Sequence, residues 1–417
     1  MKTAAELAAF GGAPAFAEPV HVAQLNLPDR EQVRRCFRDI FQRRRFTGNG
    51  PLVDTLEQAF AERVGVAHAV CVANGTVGLM ILARALGLDG EVVVPAFTFA
   101  ATAQAVSWAG LTPILCDVAG DTHMITAATV RPALTQSTTA ILGVHAWGRA
   151  CEPEALQALA AERGLCLFYD ACHAIGCTHR GRPIGGFGRA EVFSFHATKI
   201  VNGAEGGCIT TGDADLAARL RTMRSCTGAA AEPVAWRLNG GMSEAQAALA
   251  LVSLQELPRN IAANRQRYEA YRAGLGDVPG LALVGYDAIE ANNFEYVVVE
   301  IDETRTGLNR DLLFRLLAAE NVICRGHFYP GIHRLAPYAG SVSTRAGSFP
   351  QTDRLCARVL QLPSGQPVSC AAVGRICDLI RGILAHSEEI SARFAAAERG
   401  GRLIAHESGY SWYDSDI

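Results

Sequence analysis

From about residue 55 the chain alternates segments of helical period with short apolar runs, and this alternation narrows the possible folds more than any other feature. VDTLEQAFAERVG has helical periodicity and stops at Gly65. AVCVAN then reads as a buried strand, and GTVGLMILARALGL as the helix after it. EVVVP, TPILCDV, the run Ala140–His145 within TAILGVHAWG, LCLFYD, AEVFSF and GGCITT read as further strands. AATAQAVSWAG and EPEALQALAAERG read as helices between them. Strands alternating with helices over this length predict a mostly parallel sheet covered on both faces. In such sheets ligands gather outside the carboxyl ends of the strands.

After about Leu257 the pattern changes. RNIAANRQRYEAYRAGLGD reads as a long amphipathic helix, FEYVVVEID as a strand, RDLLFRLLAAEN as a helix, VICRGHF as a strand and AAVGRICDLIRGILAH as a final helix. A chain of 417 residues is too long for one ordinary core. The expected division is a large domain over 1–257, with an N-terminal arm, and a smaller α+β domain over 258–417. The tail after Glu398 shows no period.

The formal net charge of −3 gives no electrostatic case for nucleic acid or an anionic membrane as partner. No apolar run approaches the roughly 20 residues of a membrane helix. The opening MKTAAELAAFGGAPAF lacks the plan of a signal peptide. The 13 cysteines are scattered with no C-x-x-C pair, and Cys172, His173, Cys177 and His179 match no zinc spacing, so no metal is expected. The expected location is the cytoplasm, with reduced thiols.

Three stretches carry chemistry. Asn74-Gly75-Thr76 lies between a strand and a helix, where glycine allows close backbone approach and a helix N-terminus offers free N–H groups to an anion. Taken alone, the stretch reads first as an ordinary helix cap. In FYDACHAIG, Asp170 ends a buried strand, with His173 three residues on. A carboxylate there needs a partner, either a protonated ring nitrogen or the N–H groups of the next turn. In SFHATKIVNGAEGG, Ser194 and His196 precede Lys199, and Gly206-Gly207 follow. A lysine in a partly dry site loses its proton more readily and can bond to a carbonyl, whereas most lone lysines are solvated. Together these are the three parts that pyridoxal phosphate requires: a phosphate cup, a partner for the pyridine nitrogen and a Schiff-base lysine.

In order and spacing these stretches resemble the DegT/DnrJ/StrS family of sugar aminotransferases, pyridoxal-phosphate enzymes of fold type I. The resemblance runs from FTGNGPLVDTLEQAF through FTFAAT, FYDACHAIGC, FSFHATKIVNGAEGGCITT and NGGMSEAQAALALVSLQEL, weakly to GHFYPGIHRLAPY, over roughly residues 20–385. It implies a mostly parallel seven-stranded sheet in the large domain and a smaller C-terminal α+β domain. By the resemblance, Lys199 is the Schiff-base lysine and Asp170 pairs with the pyridinium. Gly75, Thr76 and Ser194 hold the phosphate, Phe99 stacks on the cofactor ring, and His173 lies near the ring oxygen. Asn239 reaches the phosphate of the neighbouring subunit in a homodimer. The chain departs from the family at Asn74, where Ser is frequent, and in DACHAIG, where DAAQA or DAAHA is commoner.

The implied reaction carries an amino group from L-glutamate to a nucleotide-linked ketosugar, a dTDP-linked 4-keto-6-deoxyhexose aminated at C4, in deoxyaminosugar biosynthesis. A cyclitol ketone, an aromatic-precursor synthesis and a 3-ketosugar remain alternatives, as does a catalytically silent protein on the same fold. A dehydratase of the same family replaces the lysine with histidine, and Lys199 argues against it.

Overall fold

The computed structural model describes residues 2–22, 25–226 and 236–399. Seven strands form the large sheet: β1 (His68–Val72), β2 (Glu91–Pro95), β3 (Thr112–Cys116), β4 (Thr138–Val144), β5 (Cys166–Asp170), β6 (Glu191–Ser194) and β7 (Gly207–Thr211). Their order is β1-β7-β6-β5-β4-β2-β3. Only β7 runs against its neighbours; the other pairings are parallel. The strands are unbroken apolar runs because both faces are covered. Val92 and Val94 of β2 pack in one core cluster and Val93 in the other. Each such side chain contributes about 1.5–3 kcal/mol on burial.

Local signals set the helix ends. Pro51 opens the helix Pro51–Val64, and Gly65 closes it at φ 70°. Ser243 and Gln246 form a reciprocal capping box on the helix Glu244–Gln255. Strand order reverses direction between β4 and β2, which opens a crevice at the carboxyl ends there.

The smaller lobe is an antiparallel sheet of β8 (Leu281–Leu283), β9 (Val297–Ile301) and β10 (Val359–Leu362). Residues of the helices Leu257–Leu275, Arg310–Ala319 and Cys370–Ala385 share its core. The strand expected over VICRGHF is shorter than its apolar pattern suggests. Only Val322–Ile323 is extended, paired in parallel with Val20–His21. Beyond it Arg325 exchanges backbone bonds with Gln361, and the chain turns at Gly326. The first residues pack with this lobe: Ala4, Leu7 and Phe16 belong to its core. They are fastened by the fully buried Glu320, whose carboxylate accepts from Lys2 Nζ at 2.6 Å and from the N–H groups of Ala8 at 2.7 Å and Ala15 at 2.6 Å.

Among the described residues no helix is long and apolar enough to cross a membrane, and no group of three or more His, Cys, Asp or Glu side chains could hold a metal ion.

Candidate active site

A cavity of about 520 Å³ opens at the carboxyl ends of the large sheet and is closed from the other side by the small lobe. Gly75 and Thr76 line it beyond β1, Phe99 beyond β2, Asp170 and His173 at and after β5, and Ser194 and Lys199 at and after β6. Segments far apart in sequence thus meet in one space, as strand-end residues of a parallel sheet do.

The anion cradle is built from backbone. Asn74, extended at φ −167°, caps the helix Gly75–Ala85 by accepting from the Val77 N–H at 2.8 Å. Asn74 therefore does the capping work of the serine common at this position. The first-turn N–H groups of Gly75 and Thr76 have no acceptor within the helix, and both residues line the cavity. Close approach demands glycine at two points. A Cβ on Gly75 would lie 3.0 Å from Cys172 Sγ, and one on Gly207 would lie 2.8 Å from the Asn74 carbonyl carbon. Ser194 is buried beside the cradle, its Oγ accepting from the His196 N–H at 3.3 Å.

Asp170 is also buried. Thr102 Oγ1 donates to its Oδ2 at 2.9 Å, and the Cys172 N–H to its Oδ1 at 3.1 Å. The turn after β5 is thus capped, as one sequence reading had it, and the carboxylate still lines the cavity. Lys199 Nζ donates to Tyr296 Oη at 2.7 Å. His173 stacks on Trp147 at 5.8 Å and packs against Tyr296 at 4.3 Å between ring centroids. Burial, then the charge of Lys199 and the neighbouring His327, push its pKa well below the usual histidine range, so the ring is neutral. Its Nδ1 is buried with no hydrogen-bond partner among the described residues. The Phe99 ring, 52% exposed at the start of the helix Ala100–Trp108, offers an uncovered aromatic face.

The opposite wall comes from the small lobe and was not singled out from the sequence. Tyr296, Arg325, His327 and Phe328 line the cavity, with Glu295 buried behind. Burial, with the nearby Arg325 and Lys199, lowers the His327 pKa to about 3. Burial raises the Glu295 carboxyl to about 7, against the opposing pull of Lys199 and of bonds to Ile200 N–H and Tyr296. The available signal was the placement of Glu and Tyr at the mouth of the apolar run VVVEI. Trp147, at φ 59°, is fixed from below: its Nε1 donates to His123 Nδ1 at 3.2 Å, so His123 Nε2 carries the proton shared with Glu300 at 2.8 Å.

Asn239 does not line the cavity of its own chain. It is exposed, with Gly240 O accepting from the Ala73 N–H at 2.7 Å one residue before the cradle. Nor does it cap the helix that follows, since Ser243 does.

The site can therefore hold an anionic group at the cradle, an aromatic ring between Phe99 and the strand ends, a protonated ring nitrogen at Asp170 and a carbonyl beside Lys199. Residues 28–381 match the sequence model of the DegT/DnrJ/EryC1/StrS aminotransferase family. The dTDP-4-amino-4,6-dideoxy-D-glucose transaminase of Escherichia coli is 30% identical over 368 residues, 87% of this chain and 98% of that protein. The crystal structure of DesI in the presence of its TDP-sugar product is similar at TM-score 0.89 and 44% identity, over 94% of this chain and 99% of that one. The structure of S. venezuelae DesV in complex with ketimine intermediate is similar at TM-score 0.80 and 28% identity, over 88% of this chain and 99% of that one.

Proposed function

The chain belongs to the DegT/DnrJ/EryC1/StrS aminotransferase family, and from that membership we propose that it uses pyridoxal phosphate to move an amino group from L-glutamate to C4 of a dTDP-linked 4-keto-6-deoxyhexose. The observation that carries the cofactor is the meeting in one cavity of Lys199, Asp170 and the cradle of Gly75, Thr76 and Ser194. The orphaned Nδ1 of buried His173 and the glycines that keep the cradle shallow also fit this group. The choice of sugar and carbon is supported by the likeness to DesI and to the Escherichia coli transaminase.

Pyridoxal phosphate, when bound, supplies a carbonyl that takes up the amino group and a ring that draws electrons from the adjacent carbon. The chain supplies the rest. Helix N–H groups of Gly75 and Thr76, with the hydroxyls of Thr76 and Ser194, bind the phosphate. Asp170, its oxygens oriented by Thr102 and Cys172 N–H, holds a proton on the ring nitrogen. Neutral His173 would offer a hydrogen bond to the cofactor, and Phe99 would cover its ring. Lys199 Nζ would hold the cofactor covalently and would serve as the base that carries the substrate's proton. Asn239 of the partner subunit completes the phosphate site in a homodimer.

The test is a panel of nucleotide ketosugars and cyclitol ketones incubated with the holoenzyme and L-glutamate, read by mass. A product gained from the dTDP-linked 4-ketosugar, with 2-oxoglutarate released, is expected. Amination confined to a cyclitol ketone or a 3-ketosugar would overturn the assignment.

A further inference from the structure

Tyr296 enters the site from the small lobe on the turn that leads into β9, with Glu295 buried just before it. Tyr296 Oη accepts from Lys199 Nζ at 2.7 Å, and its ring centroid lies 5.4 Å from that nitrogen. Glu295 is only 1% exposed. A carboxyl in such a place costs several kcal/mol of desolvation when ionised.

The turn that delivers this pair is clamped at both ends. Asn292 Oδ1 accepts from the Phe294 N–H at 2.7 Å, and Asn293 Oδ1 from the Glu295 N–H at 3.0 Å. Asn292 Nδ2 donates to Gly148 O at 2.6 Å, and Asn293 Nδ2 to His173 O at 3.0 Å and Ile175 O at 3.1 Å. Phe294 is held at φ 50°, in the left-handed region that costs a side-chain-bearing residue about 1–2 kcal/mol. A strained turn fixed by five side-chain amide hydrogen bonds and aimed at the lysine side of the cavity is a positioning device, a use to which local strain is often put.

We propose that Tyr296 is a positioning residue for Lys199: the phenol, set on its clamped turn, holds the amine at the cavity face. This rests on the reading of Lys199 as the reactive lysine. Cys172, His173, His196 and His327 line the same cavity around Lys199; burial keeps Cys172 a thiol, keeps His173 and His327 neutral, and lowers His196.

The cofactor-free protein tests this without reference to turnover. Lys199 is labelled competitively with a trace of acetic anhydride across the pH range, and the peptide containing it is quantified by mass. Tyr296→Phe should label severalfold faster throughout, since one hydrogen bond no longer holds the amine. A profile superimposable on wild type in the folded variant would overturn the proposal. Failure of the cofactor reading would show separately, as the absence of a borohydride-fixed link at Lys199 in the holoenzyme.

Discussion

The wall on the large sheet and the wall from the small lobe both hold polar side chains in a dry cavity, by different means. On the sheet side most partners are close in sequence, although Thr102 reaches Asp170 across 68 residues. Asp170 is tied to Cys172 N–H, Ser194 to His196 N–H and Asn74 to Val77 N–H. On the other side they are distant: Tyr296 meets Lys199 across 97 residues, and Asn293 meets the His173 backbone across 120. The sheet wall can form as soon as its strands pair. The small-lobe wall exists only when the lobes are in contact. Changes to the first should remove chemistry and leave the fold; changes to the second should alter response to pH and the seating of the lobes.

The largest effect expected is at Lys199. Lys199→Ala should lose the borohydride-reducible attachment and essentially all turnover, while cofactor still binds through the cradle. Covalent tagging of another lysine in this variant would move the chemistry off the sheet wall. Asp170→Asn keeps shape and loses charge. A lost partner to a buried cation costs about 3–5 kcal/mol, so kcat should fall between about 10² and 10⁴-fold with an unchanged melting curve. Near-wild-type kcat would remove Asp170 from the site.

On the other wall, Glu295 has a folded pKa of about 7, above its ordinary value of 4.5. Between these values the unfolded chain releases the proton while the folded chain keeps it, so the group's contribution to stability falls as pH rises. Relative to wild type, cofactor-free Glu295→Gln should therefore gain stability from near pH 4.5 up to about pH 7 and then hold it, by at most about 3 kcal/mol. Denaturant titrations at several pH values check this; a difference that does not change with pH would show that Glu295 is not perturbed by the wall.

The smallest effect asks whether a third wall comes from a second chain. Inactive Lys199→Ala subunits are mixed with inactive subunits carrying Asn239→Trp under exchange conditions. If Asn239 serves the neighbour, each mixed dimer has one intact site and about half of wild-type activity returns. If it serves its own chain, mixing restores nothing.

The large sheet and its strand-end residues were legible because both are local. Each strand of the large sheet overlaps the apolar run that announced it, with β1 starting at His68 just before AVCVAN and β4 at Thr138 just before Ala140, and Asp170 and Lys199 stand beside such runs. The small-lobe wall was not legible because nothing near Glu295 or Tyr296 in sequence says what they will touch. VICRGHF looked extended throughout, yet its pairing with Val20–His21 stops at Ile323 because the next backbone partner is Gln361. Glu320 reads as an ordinary charged residue near a helix end. Its burial depends on an N-terminal segment more than 300 positions away.

That last contact has a consequence for how the chain is made. Ala8 leaves the ribosome 312 residues before Glu320. At about 5–20 residues per second the interval is on the order of 15–60 s. The large sheet can assemble in that time, but the arm cannot dock, because its acceptor has not been synthesised. During synthesis the apolar residues Leu7 and Phe16, buried in the finished protein, have no docking site and stay open to chaperones and proteases until the small lobe emerges.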